Sequence, residues 1–152
     1  MSKVAILIGS KSDQDNIKNC MKYLDYFEIA NELHVLSAHR NPHEVAEFAT
    51  NARKNGYVAI VAAAGMAAHL AGVVAAHTTL PVIGVPMPGS ALQGVDALYS
   101  TVQMPTGIPV ATMAIGSAGA ANAAIFIAEM LAVTSAELEK KLAEFRAQGA
   151  RI

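Results

Sequence analysis

The chain has 152 residues, 53% of them hydrophobic and 15% charged, with a formal net charge of −1. That length suits one domain with a single core, and the balance excludes a disordered chain. It also offers no basic footprint for nucleic acid.

The first apolar run, Val4–Ile8, predicts a strand. It is unbroken rather than alternating, the pattern of a strand covered on both faces. It ends in Gly9-Ser10-Lys11-Ser12-Asp13. Glycine permits a tight turn there, and two hydroxyls and free backbone N–H groups face the start of a helix predicted over about 12–25. A helix start favours anions, so the loop is a candidate phosphate site, although it is neither a Walker A loop nor a dinucleotide fingerprint. Ser12 with Asp15 three residues later also reads as a capping box. The two readings are compatible, since Ser12 can cap while Ser10 and the amides hold phosphate. Asp13, itself an anion, is better suited to sugar hydroxyls. Cys20 reads as a packing residue of the helix, and one cysteine excludes an internal disulfide framework.

A second strand, His34–Leu36, ends in Ser37-Ala38-His39-Arg40-Asn41-Pro42. Asn41 and Pro42 read as the N-cap and first residue of a helix near 42–55. Ser37 to Arg40 therefore fall on a strand-to-helix loop, at the same end as the first. Arginine can grip phosphate through two parallel hydrogen bonds. Histidine can move a proton near neutral pH. A solvated loop with a chance His-Arg pair is the bland reading; the neighbouring glycine-serine loop favours a site. The third strand, Val58–Ala62, runs into Ala63-Ala64-Gly65-Met66-Ala67-Ala68-His69-Leu70-Ala71-Gly72 and a helix near 67–77. Small side chains leave room for a flat ligand in a pocket with little water, and serve close helix–sheet packing equally well. His69 reads either as a substrate ligand or as a structural histidine. His34, His43 and His77 read as structural or surface residues.

Val82–Val85 predicts a fourth strand. Pro81, Pro86, Pro88 and Gly89-Ser90 mark a loop after it that could cover the pocket. A helix near 92–100, a strand over Val110–Met113, a helix near 117–132 and an amphipathic helix near 135–147 complete the chain. Ala118–Val133 is apolar nearly all round, which predicts burial in the core or at a subunit interface. With Asn122 and Glu129 inside it, it is short of a membrane span. Val4–Ile8 is too short for a secretory core. No Cys/His cluster has zinc spacing. The expectation is a soluble, cytoplasmic protein with no membrane or nucleic-acid partner and no metal site. Alanine supplies about a fifth of the residues, and with so little charge an oligomer is expected. The repeated βα order predicts a doubly wound parallel sheet with ligands outside the carboxyl ends of its strands.

Taken in order, the loops Gly9–Asp13, Ser37–Arg40 and Ala67–Leu70 resemble the signatures of the class I N5-carboxyaminoimidazole ribonucleotide mutases of bacterial purine synthesis. So do Leu80–Pro86, Gln103-Met104-Pro105 and Ala118–Ala123. The resemblance runs from Val4 to about Val133; each match is weak alone and the ordered set is specific. It implies a flavodoxin-like α/β/α sandwich with a central parallel sheet and a C-terminal helix. That is a single domain over 1–152, with its core in 3–133 and the last helix in 134–148. It implies carboxylate transfer from the exocyclic nitrogen of an aminoimidazole ribonucleotide to a ring carbon, through CO2 released and recaptured in a closed site. No metal, ATP or organic cofactor is implied. His39 would be the general acid and base. Ser10, Ser12 and Arg40 would hold phosphate and Asp13 the ribose, with Ser37 and Ala38 also contacting substrate. Ala64, Gly65, Met66, Ala67, His69 and Leu70 would enclose the base and CO2. A homo-octamer is implied, with the last helix, about Glu137–Arg146, helping to link subunits.

The chain departs from the resemblance in places. Ala63 and Met66 stand where glycine is expected, Ala71 where proline is usual and Asn41 where threonine is common. Met66 could narrow the pocket or shift its loop. Arg40 after His39 favours the mutase over the animal-type carboxylase, which typically carries lysine there. Two alternatives remain: a carboxylase using free CO2, and a non-enzymatic flavodoxin-like nucleotide-binding module. The chain has no tryptophan and four tyrosines, which offers no evident aromatic pair for a flavin.

Overall fold

Strand and helix alternate along the chain in a computed structural model that describes residues 3–152. The strands are β1 (Lys3–Ile8), β2 (Ala30–Val35), β3 (Tyr57–Gly65), β4 (Val82–Met87) and β5 (Ala111–Thr112). The helices are α1 (Gln14–Tyr26), α2 (Pro42–Asn51), α3 (Leu70–His77), α4 (Val95–Val102), α5 (Ser117–Ala132) and α6 (Ala136–Ala147). The sheet is parallel throughout, in the order β2-β1-β3-β4-β5.

The unbroken apolar strands feed two cores by simple alternation. Val4, Ile6 and Ile8 of β1 join Ala59, Val61 and Ala63 of β3 in a core with α1, α5 and α6. Ala5 and Leu7 turn the other way and join Ile60 and Ala62 against α2 and α3. Each fully buried Leu, Ile or Val contributes about 1.5–3 kcal/mol by leaving water. On β4, Gly84 admits α4: a Cβ there would collide with Thr101 of α4 and would lie 2.8 Å from Val110. The result is the expected three-layer sandwich. Because the strand order reverses direction between β1 and β3, the loops after them part and leave a crevice at their carboxyl ends.

Several boundaries differ from the sequence reading. β2 spans Ala30–Val35 rather than His34–Leu36. It is an edge strand with polar residues facing out, so it lacks the continuous apolar run that marks the others. Pro86 lies inside β4, paired with Ala64 of β3, and not in the following loop. Proline is tolerated there because the β4–β5 ladder ends at Gly84–Thr112, so no strand calls for its missing N–H, while its carbonyl accepts the Gly116 N–H at 2.9 Å. β5 is only two residues long. α3 begins at Leu70, three residues later than expected, and α4 at Val95, after Gly94 with φ of 88°. The Ser12–Asp15 capping box does not form. A single 3-10 turn, Lys11–Asp13, precedes α1, and Ser10 caps it by accepting the Ser12 N–H. Asn41 makes no cap bond to α2 either; its Oδ1 accepts the Ser37 N–H at 3.3 Å. α5 is not buried all round: Ala120, Ala123, Ala124, Ile127 and Ala128 are covered, while Phe126 stays exposed. α6 folds back on its own chain through Leu142 and Phe145.

Candidate active site

The carboxyl ends of β1, β2 and β3 open into one cleft of about 520 Å³. From the β1 loop come Ser10, Ser12 and Asp13; from the β2 loop Ser37, Ala38, His39 and Arg40. The β3 loop adds Ala64, Gly65, Met66, Ala67, His69 and Leu70, so every residue singled out in the sequence lines the same cavity. Gly9, Pro88 and Gly89 line it as well. Asn16 is a further lining residue that the sequence reading missed. The available signal was its spacing, three residues after Asp13 on the face of the first helical turn.

The first loop is arranged to donate. Ser10 Oγ accepts from the Ser12 N–H at 3.3 Å and from the Ser12 hydroxyl at 2.9 Å. With its acceptor capacity used, the Ser10 O–H is left to donate outward. Asp13 stands beside it, and burial pushes its carboxyl pKa above the ordinary value, opposed by a hydrogen bond from the Ser10 backbone. Among the described residues no carboxylate pairs with the Arg40 guanidinium. The loop that carries Arg40 is pinned instead through its backbone: Arg40 N–H donates to Ser37 Oγ at 3.2 Å and Asn41 N–H to Ser37 O at 2.8 Å. The Ser10 O–H, backed by the Ser12 hydroxyl, and an unpaired guanidinium thus face one space, which suits a phosphate.

The two histidines singled out in separate loops meet. His39 Nε2 lies 2.7 Å from His69 Nδ1, with the rings edge to face and 87° apart. At that distance one ring nitrogen carries the hydrogen and the other accepts it, so the tautomer of each ring depends on its partner. His69 thus faces the cleft and touches His39.

The third loop shows why Met66 stands out. Its φ is 55°, in the left-handed region that glycine enters without strain. The chain departs from the resemblance at a position whose backbone conformation favours glycine. Met66 is 65% exposed, and His39 and Arg40 are exposed too. The cleft of the single chain is therefore open, not the dry, closed pocket expected from its small side chains. Ala63 is an ordinary buried strand residue between Ile8 and Val85. Ala71 is buried in the first turn of α3.

The remaining candidates stay structural. His34 hydrogen-bonds Tyr57 at 3.2 Å and packs on Phe48, and burial lowers its pKa. Cys20 is fully buried and its thiol is pushed up to about 12 by that burial, which removes the thiolate a nucleophile needs. Among the described residues no group of three His, Cys, Asp or Glu side chains could hold a metal ion, and no helix is long and apolar enough to cross a membrane.

Fold and site together define a class: a doubly wound α/β protein with a serine-bearing loop and a hydrogen-bonded histidine pair in one cleft at its strand ends. The model of one family, described as AIR carboxylase, matches residues 3–151. Curated relatives called N5-carboxyaminoimidazole ribonucleotide mutase agree with it. That of Vibrio cholerae is 50% identical over 145 residues, covering 95% of this chain and 90% of its own. That of Escherichia coli K12 is 49% identical over 145 residues, covering 95% and 86%. That of Bacillus subtilis is 49% identical over 143 residues, covering 94% and 88%. The crystal structure of Treponema denticola PurE superposes with a TM-score of 0.87 at 24% identity, covering 99% of this chain and 92% of that one, a likeness of fold. The chain belongs to the AIR carboxylase family.

Proposed function

We propose that this chain is an isomerase of purine synthesis that interconverts N5-carboxyaminoimidazole ribonucleotide and 4-carboxy-5-aminoimidazole ribonucleotide. The observation that carries the reading is the placement of His39, bonded to His69, in the same cleft as the unpaired Arg40 and the Ser10–Ser12 hydroxyls. The relatives at about half identity bear the mutase name, and Arg40 after His39 supports the mutase over a carboxylase fed by free CO2.

Ser10, Ser12 and Arg40 bind the phosphate and Asp13 the ribose. These contacts are remote from the reacting ring, and they orient it. His39 then gives a proton to the exocyclic nitrogen as its bond to the carboxylate breaks and CO2 leaves. The ring carbon attacks CO2, and the proton that this carbon loses returns to His39. The proton count closes within one turnover. His69 sets the tautomer and orientation of the His39 ring, and the loop Ala64–Leu70 keeps CO2 near the ring.

Replacing His39→Asn removes the titrating ring but keeps a polar side chain of similar reach. Turnover of the carbamate nucleotide is expected to fall by about 100-fold or more, in line with loss of a general acid–base. Nucleotide affinity, measured by calorimetry, is expected to stay near that of the parent. Normal turnover by this variant would remove His39 from the mechanism. Offering the parent protein aminoimidazole ribonucleotide with bicarbonate, in parallel with the carbamate, separates the mutase from the carboxylase.

We further infer a cytoplasmic homo-octamer. Its support is the low charge of the chain, the open cleft, and an exposed apolar stripe of Leu92, Val95, Tyr99 and Val102 along and just before α4. A monomeric mass in solution would overturn that part.

A further inference from the structure

α4 contributes no residue to the cleft, yet it touches the loop that carries His69. Ser100, half-buried near the end of α4, is the point of contact. Its Oγ accepts the Ala68 backbone N–H at 3.0 Å. Its own hydrogen has the Asp96 carbonyl at 2.8 Å, with the Ala97 and Met66 carbonyls at 3.3 and 3.4 Å. Ala68 is 2% exposed, and among the described residues no other acceptor takes its N–H. A buried N–H without a partner is costly, so this bond is a strong constraint. At its far end the segment is tied to α3 by Val73 N–H donating to His69 O at 2.9 Å; ahead of that bond little else holds it. Between the end of β3 and the start of α3 its one internal backbone bond is His69 N–H to Ala67 O at 2.9 Å. Met66 within it holds φ of 55°.

We infer that Ser100 is a positioning residue: its hydroxyl latches the Met66–His69 loop to α4 and thereby keeps the His69 ring at His39. The inference rests on the acid–base role proposed for His39. One hydroxyl on the helix fixes the amide of Ala68, the residue immediately before His69. A slip of the loop there moves His69 Nδ1 away from His39 Nε2 and leaves the tautomer of His39 unset.

The test is Ser100→Ala beside Ser100→Thr in the full chain. Alanine is the better helix former, so Ser100→Ala does not weaken α4 itself; leaving the Ala68 N–H unpaired is expected to lower the melting temperature by about 2–10 °C without loss of the fold. Threonine keeps a hydroxyl that can bond the carbonyl four residues back, as Ser100 does with Asp96. For Ser100→Ala, kcat is expected to drop by about 10- to 100-fold with KM changed by less than about threefold, the size of effect that misplacement produces. Ser100→Thr is expected to restore it. The NMR ring signals of His39 and His69, assigned through His39→Asn and His69→Asn, are expected to move in Ser100→Ala while those of His34, His43 and His77 stay put. The ring signals need no substrate, so they decide the latch even if the parent lacks mutase activity, which would sink the functional reading alone. Unchanged His39 and His69 signals in Ser100→Ala overturn the latch, as does a loss that Ser100→Thr fails to restore.

Discussion

Asp13 is half-buried between the first turn and the cleft, and burial raises its carboxyl pKa despite the opposing bond from the Ser10 backbone. The native state therefore holds this proton more tightly than the unfolded chain does. What that contributes to stability is fully present below the unfolded carboxyl's pKa and is lost as pH rises through the native one. At neutral pH the burial of the ionised group is a cost to the fold. Asp13→Asn is expected to melt at the same temperature as the parent or higher at pH 7. Its advantage should close as pH falls towards about 4, where the parent's own carboxyl becomes neutral. Nucleotide binding should weaken in the same variant. A clear drop in melting temperature at pH 7 would mean that the carboxylate holds the loop by contacts that outweigh its burial. Met66 is a related case of local strain in the site. A Cβ in the left-handed region costs about 1–2 kcal/mol, and the exposed side chain has little burial to offset it.

The helices owe their positions to small residues on the strands. Gly84 is the sharpest instance, because α4 sits where a Cβ would be, against Thr101, with Ala71 of α3 only 3.4 Å away. Gly84→Ala must push α4 off the sheet or distort β4. It is expected to lower stability by about 1–3 kcal/mol in urea denaturation, the usual cost of overpacking. An unchanged midpoint would mean that α4 shifts freely, which would also undercut the latch at Ser100. This element shows where sequence reading stops. The strands β1, β3 and β4 were legible because burial on both faces writes an unbroken apolar run. β2 was legible only at its end, since an edge strand alternates and its residues Ala30 to Glu32 look like loop. The three site loops were legible because topology places them at one end of the sheet. The His39–His69 contact was not, because it depends on how far the β3 loop reaches back across β1. Nor was the Ser10 cap: Ser10 and Ser12 offer the same hydroxyl, and only the 3-10 turn selects between them.

At the scale of the whole molecule the question is whether α6 belongs to the cooperative unit or merely lies on it. The sequence separates a core in 3–133 from a helix in 134–148. The packing argues that they fold together. Phe145 is 2% exposed and meets Tyr23, Tyr26 and Phe27 with ring centroids 6.0, 5.7 and 5.4 Å away. Leu142 and Phe145 belong to the same buried cluster as Val4, Ile6 and Ile8 of the central strand. Ser135 caps the helix by accepting the Leu138 N–H, and Lys141 reaches Glu28 at 3.2 Å. The exposed ion pair adds little, so the aromatic cluster is the main tie. Phe145→Ala should therefore cost about 3–5 kcal/mol, the penalty for emptying a well-packed aromatic site. Because Tyr23, Tyr26 and Phe27 close α1 over the sheet, the loss should lower the midpoint of one transition for the whole chain. Circular dichroism and tyrosine fluorescence should then trace coincident curves, at a fixed protein concentration so that any subunit association contributes equally. An early helical transition that leaves the main midpoint unmoved would instead make α6 a separate unit, free to serve a neighbouring subunit.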